Sequence, residues 1–171
     1  MNGPADDMLC VELDGLTVEI GVAPGALSLD ARLPTVIASA ITAAKETAGP
    51  AQGAVTVIVD DDARVRELNR RWRGFDKPTN VLSFPSPYTQ PGPADALGDI
   101  VISYETAAVE AAAEDKSLAD HVAHLSVHGF LHLLGYDHEA DDDANEMERL
   151  ERAILARIGV SDPYAVRAIE D

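Results

Sequence analysis

The chain is short of several things, and each shortage removes a class of explanation. Cys10 is its one cysteine, so no internal disulfide can form and a reducing compartment is expected. Taken alone, Cys10 reads as a small buried apolar residue rather than a reactive thiol. No apolar run approaches the ~20 residues needed to cross a bilayer, so no membrane partner is expected. Met1 to Asp7 holds two aspartates and no basic residue, which does not resemble a secretory signal and points to a cytoplasmic protein. Positive charge is scarce as well: 13 Lys and Arg against 30 Asp and Glu give a net charge of −17. A surface of that sign does not attract nucleic acid or anionic membranes broadly.

What is present suits one folded domain with a single core, at 171 residues and 46% hydrophobic content. The few cations are gathered. Arg64, Arg66, Arg70, Arg71, Arg73 and Lys77 are six of the thirteen, opposed there by Glu67 and Asp76. Asp137 to Glu151 is the opposite extreme, with eight acids and one arginine. Most of these charges read as solvated helix surface. Their polarity suggests an anionic substrate met at one place.

Leu9 to Ile20 alternates apolar and polar around Asp14-Gly15, a strand with a turn or bulge. Ser28 is a candidate cap for a helix over about Leu29 to Glu46, with Pro34 near its first turn, and Gly49-Pro50 breaks it. Ala54 to Val59 reads as an inner strand, and Asp60 to Asp62 cap a basic helix reaching about Arg73. Thr79 to Phe84 is a strand closed by Pro85, followed by a proline-rich loop to Ala96. Leu97 to Ile102 is a further strand, after which Ser103 caps an alanine-rich helix to about Asp115. Ser117 with Asp120 caps a helix over about Leu118 to Leu134, and Asp141 opens a last helix ending at Gly159. Residues 1–8 and 162–171 read as peripheral tails. The order predicts an α+β domain, a small mixed four-stranded sheet packed by about five helices.

All five histidines fall between His121 and His138. At 100° per residue, His121, His124, His128 and His132 share an arc of roughly 80° on one helix face. Spacing alone would allow any adjacent pair as metal ligands. His128 and His132 are favoured because their surroundings, Val127, Phe130, Leu131, Leu133 and Leu134, are apolar, and a buried imidazole needs a partner. They also stand nearest Gly135, whose left-handed freedom can end the helix and return His138 as a third imidazole. Three imidazoles on one Zn²⁺ leave a fourth position for water, as in a catalytic site. Asp137 is a candidate to orient a ligand imidazole. His121 and His124 read as supporting, substrate-facing or plain surface residues. The spacing His-x-x-x-His-x-x-Gly-x-x-His matches the metzincin peptidase motif. Where those enzymes carry their general base Glu, this chain has Gly129, which speaks against peptide hydrolysis.

Four blocks together, Leu68-Asn-Arg-Arg-Trp-Arg73, Lys77-Pro-Thr-Asn-Val-Leu-Ser-Phe-Pro85, Leu97-Gly-Asp-Ile100 and His128 to His138, resemble the YbeY family of bacterial rRNA maturation factors. The resemblance spans about Val55 to Tyr164. It implies a zincin-like fold and one zinc ion per chain on His128, His132 and His138. It also implies a functional arginine at Arg73 and endoribonuclease action on ribosomal RNA, chiefly at the 3′ end of the small-subunit RNA and in ribosome quality control. On that basis Arg73 and His128, with its zinc-bound water, are the expected catalytic residues. Arg73 would meet the phosphate, and Asn80 and Ser83 are candidate contacts to single-stranded RNA. The zinc-bound water itself, Asp137, Glu139 or the RNA 2′-hydroxyl must handle the proton. The acidic surface suggests recruitment by a basic ribosomal protein on the small subunit. Two other readings stay open: a ribosome-assembly factor with a structural metal, and a hydrolase of a small phosphoester or amide.

Overall fold

A computed structural model describes residues 8–49, 51–85, 96–137 and 140–164. The alternating N-terminal stretch is a hairpin: β1 (Leu9–Leu13) and β2 (Leu16–Val22) pair antiparallel across Asp14-Gly15. That splitting raises the sheet from the expected four strands to five, and Cys10, on the edge strand β1, is exposed rather than buried. β3 (Gly53–Asp60), β4 (Val81–Pro85) and β5 (Ala96–Ser103) complete it in the order β1-β2-β3-β5-β4. β3 runs parallel to both β2 and β5, while β4 pairs antiparallel with β5. β4 is an edge strand, which is why it can include Pro85. Thr79 and Asn80, expected within it, precede it.

Six helices are described, one more than the sequence suggests. α1 (Pro24–Leu29) takes Ser28 into its interior, so Ser28 caps nothing; proline in the first turn starts this short helix. α2 (Leu33–Ala48) carries Pro34 in its own first turn, where a missing N–H is harmless. Asp61 caps α3 (Asp62–Arg73) by accepting from the Arg64 N–H at 2.9 Å. Ser103 caps α4 (Tyr104–Ala113), and Ser117 caps α5 (Leu118–Leu133) by accepting from the Asp120 N–H at 3.0 Å. α6 (Asp141–Arg157) closes the fold. The proline-rich loop at 86–95 lies outside the described residues.

Both faces of the sheet are covered. On one, Val18, Ile20, Val57, Ile100 and Ile102 meet α2, α5 and α6 through Ile41, Phe130, Leu131 and Ile154. Burying each such side chain contributes roughly 1.5–3 kcal/mol. On the other, Val65 and Leu68 of α3 pack against Ile58, Leu82, Phe84 and Val101. The result is one α+β domain in which α5 lies on the sheet beside the edge strand β4, its Gly129 carbonyl accepting from Ser83 Oγ at 3.3 Å. No helix among the described residues is long and apolar enough to cross a membrane.

Candidate metal centre

α5 buries Val122, Val127, Phe130 and Leu131 in the core, and its histidine row faces the neighbouring helices. His121 meets Glu110 of α4, with Nε2 and Oε1 2.8 Å apart. Its burial pushes the imidazole pKa down, partly offset by that carboxylate. His124 and His128 turn instead to Glu151 of α6, a carboxylate with no exposed surface. Its Oε2 accepts from His128 Nδ1–H at 2.7 Å, and its Oε1 accepts from His124 Nε2–H at 3.1 Å and from the Tyr164 hydroxyl. Burial alone would raise the Glu151 pKa, but these donors outweigh it and hold the carboxyl at about 2. Tyr164 is pushed well above its ordinary value, by burial and then by the Glu151 bond and charge, and so remains a donor.

Two donor sets compete for an ion. One is His124, His128 and Glu151, whose ligand atoms lie within 4.8 Å of one another. The other begins with Nε2 of His128 and Nε2 of His132, which face each other at 3.1 Å. Tetrahedral zinc with bonds of ~2.0–2.1 Å separates its ligand atoms by roughly 3.3 Å. The His128 Nδ1–Glu151 distance of 2.7 Å falls short of that and is the length of a charge-assisted hydrogen bond. The first set could take an ion only by opening that bond. In the second the carboxylate fixes the proton on His128 Nδ1 and leaves the Nε2 lone pair facing His132, a contact that would widen only from 3.1 Å to the tetrahedral spacing. This is how metal-binding imidazoles are commonly oriented. The donor chemistry on this face therefore fits a metal ion.

The α5 helix ends as expected: Gly135 takes φ 105°, and Tyr136 N–H returns to the Leu131 carbonyl at 3.0 Å. His138 and Glu139 lie outside the described residues, and Asp137 is half-buried two residues past the turn. Arg73 ends α3 on the surface, its guanidinium 5.5 Å from the centre of the Phe75 ring. No described hydrogen bond or ion pair joins it to the histidines. Asn80 Nδ2 donates to Glu110 Oε1 at 3.0 Å, sharing that oxygen with His121. Asn80 also borders a cavity of about 310 Å³ with Glu110, His121, His124, His128 and Tyr164. Ser83 points beneath α5. A Cβ added at Gly129 would stand 2.8 Å from Ile100 Cγ2 and 3.1 Å from Ser83 Oγ, so this helix position is pressed against the sheet and has no room for a carboxylate.

Sequence reasoning misses Glu151, Tyr164 and Glu110. Glu151 sits in a run of acids that reads as solvated surface, and Tyr164 in a stretch expected to be a peripheral tail. The signal for Glu151 was there: Met147, Leu150 and Ile154 are buried on α6, and position 151 falls inside their stripe.

Residues 26–159 match the family model described as Endoribonuclease YbeY. A protein of Chelativorans sp. (strain BNC1) with that name is 49% identical over 152 residues, 87% of this chain and 93% of its own. Its namesake in Allorhizobium ampelinum is 44% identical over 162 residues, covering 94% and 95%. The one in Nitrobacter hamburgensis is 58% identical over 116 residues, 65% of this chain and 61% of that relative's length. The match takes in the α3 arginines, the β4 strand and its lead-in, β5 and the histidine helix together. The chain belongs to the YbeY endoribonuclease family.

Proposed function

We propose that this protein is a zinc-dependent endoribonuclease that cuts single-stranded RNA in the cytoplasm, maturing the 3′ end of small-subunit ribosomal RNA and serving ribosome quality control. The observation that carries the reading is the 3.1 Å approach of His128 and His132, backed by the buried Glu151, in a chain whose relatives are named endoribonucleases. His128, His132 and His138 would hold one zinc ion. When bound, zinc supplies a Lewis acid for a phosphate oxygen and lowers the pKa of water toward ~7.

The chain's own residues do the rest. Glu151 keeps the His128 proton on Nδ1 and so keeps Nε2 basic. Tyr164 and His124 keep Glu151 charged. Arg73 pairs its planar fork with the phosphate and with the charge that grows there during cleavage. Asn80, at the border of the histidine cavity, meets the strand, while Ser83, under α5 and bonded to the Gly129 carbonyl, and the buried Leu82 lie behind it. Asp137 orients a ligand imidazole. Position 129 offers no base, so Asp137, Glu139 or the RNA 2′-hydroxyl moves the proton. The acidic α6 surface suits a basic ribosomal protein on the small subunit as recruiter.

The test is cleavage of a precursor rRNA fragment by wild type, His128→Ala and Arg73→Ala. Loss of cleavage in His128→Ala is expected. So is a fall of roughly 100- to 1,000-fold in Arg73→Ala with zinc content unchanged. Wild-type cleavage by His128→Ala would overturn the proposal, and by Arg73→Ala the arginine assignment alone.

A further inference from the structure

We infer that the exposed end of α3 is a stacking platform for unpaired RNA bases, with Trp72 and Phe75 taking the bases and Arg71, Arg73 and Lys77 the phosphates. The inference rests on the endoribonuclease reading and adds where the strand is gripped beyond the histidines.

Of the twelve residues of α3 only Val65 and Asn69 are buried, so its outer side and C-terminus are solvated. There the chain leaves Trp72 66% exposed and Phe75 50% exposed, the two rings among the large exposed apolar side chains of the described residues. A lone exposed aromatic needs no explanation. These two are interleaved with cations: Arg71 stands 5.9 Å from the Trp72 ring, and Arg73 and Lys77 stand 5.5 and 5.9 Å from the Phe75 ring.

The charge here is not cancelled. Arg66 pairs with Asp76 at 2.7 Å and Arg70 with Glu67 at 2.9 Å, which uses both local acids. Among the described residues no carboxylate pairs with Arg64, Arg71, Arg73 or Lys77. On a chain of net charge −17, a positive surface studded with rings selects a polyanion that also has π-faces. Single-stranded RNA is that ligand, since its bases are free to stack and duplex bases are not.

The platform is also held in place and near the candidate centre. Asn69 Nδ2 donates to the Lys77 carbonyl at 2.9 Å, and Phe75 N–H to the Asn69 carbonyl at 3.3 Å. Lys77 is three residues from Asn80, a backbone span of at most ~11 Å, and Asn80 borders the histidine cavity. One strand could therefore reach both.

Trp72 is the sole tryptophan, so its emission reports on the platform directly. The full-length zinc protein is titrated with a short 2′-O-methyl oligouridylate, which binds without being cut, and with the same strand annealed to its complement. Saturable quenching by the unpaired strand and little by the duplex is expected. Anisotropy of the labelled strand should show binding weakened roughly 5- to 100-fold in Trp72→Ala and in Phe75→Ala, and far less in Trp72→Phe. Unchanged emission at saturation, equal quenching by duplex, or wild-type affinity in Trp72→Ala would overturn the inference. Any of these with precursor cleavage intact would sink the platform alone. Saturable quenching with no cleavage by wild type would support the platform and count against the nuclease reading.

Discussion

A carboxylate with no exposed surface is tolerable only when its lone pairs are taken, and Glu151 has donors from His124, His128 and Tyr164. It gives the histidine row a direction by deciding which nitrogen of His128 is basic. Glu151→Gln should keep the shape and lose the charge, weakening zinc about 10- to 100-fold in a chelator competition. Linkage gives a second consequence for the metal-free protein. The folded carboxyl, held at about 2, lies below its ordinary 4.5. Its stabilisation is complete above the ordinary value and is lost as pH falls toward the folded one. The melting-temperature advantage of wild type over Glu151→Gln should therefore be greatest above about pH 5 and shrink by about pH 3. An advantage that grows on acidification would contradict this. The residue itself was invisible to charge counting, which averages over a helix. Only the buried stripe of Met147, Leu150 and Ile154 marks position 151 as facing inward.

At the scale of elements, the histidine helix was legible because its signals are local. Ser117 caps it, apolar residues fill one side, four histidines line the other, and Gly135 ends it. The β4 edge was legible in position and less so in its bounds, since Pro85 is tolerated at an edge. The N-terminal hairpin was legible only as one of two options, because a turn and a bulge look alike in sequence, and α1 was hidden because Pro24 and Gly25 suggest a break. What joins β4 to β5 is a close approach that sequence cannot measure. Gly98 has φ 142°, and a Cβ there would stand 2.3 Å from the Phe84 carbonyl oxygen. Gly98→Ala should push β4 outward and cost ~2 kcal/mol or more in denaturant unfolding, because the clash is with backbone. The shift would also carry Ser83 away from Gly129. A wild-type midpoint would show that the edge strand is not fixed in this way.

For the whole molecule, the sign of the charge and its one reversal set the terms of RNA binding. Six basic residues cluster around α3, and two of them are neutralised by Glu67 and Asp76, leaving four. Against a single strand, four phosphate contacts give a log–log salt slope no steeper than about −3. Oligouridylate binding measured over a range of salt should obey that limit. A much steeper slope would mean that basic residues elsewhere carry the strand, and the acidic exterior would need another explanation.

Which imidazoles hold the ion decides how the histidine row works, and the two donor sets make opposite forecasts. Zinc measured by elemental analysis in dialysed wild type, His132→Ala and His124→Ala separates them. One zinc per chain in wild type and His124→Ala, with loss in His132→Ala, is the predicted result. Zinc kept by His132→Ala and lost from His124→Ala would contradict it, and would place the ion between His124, His128 and Glu151 instead.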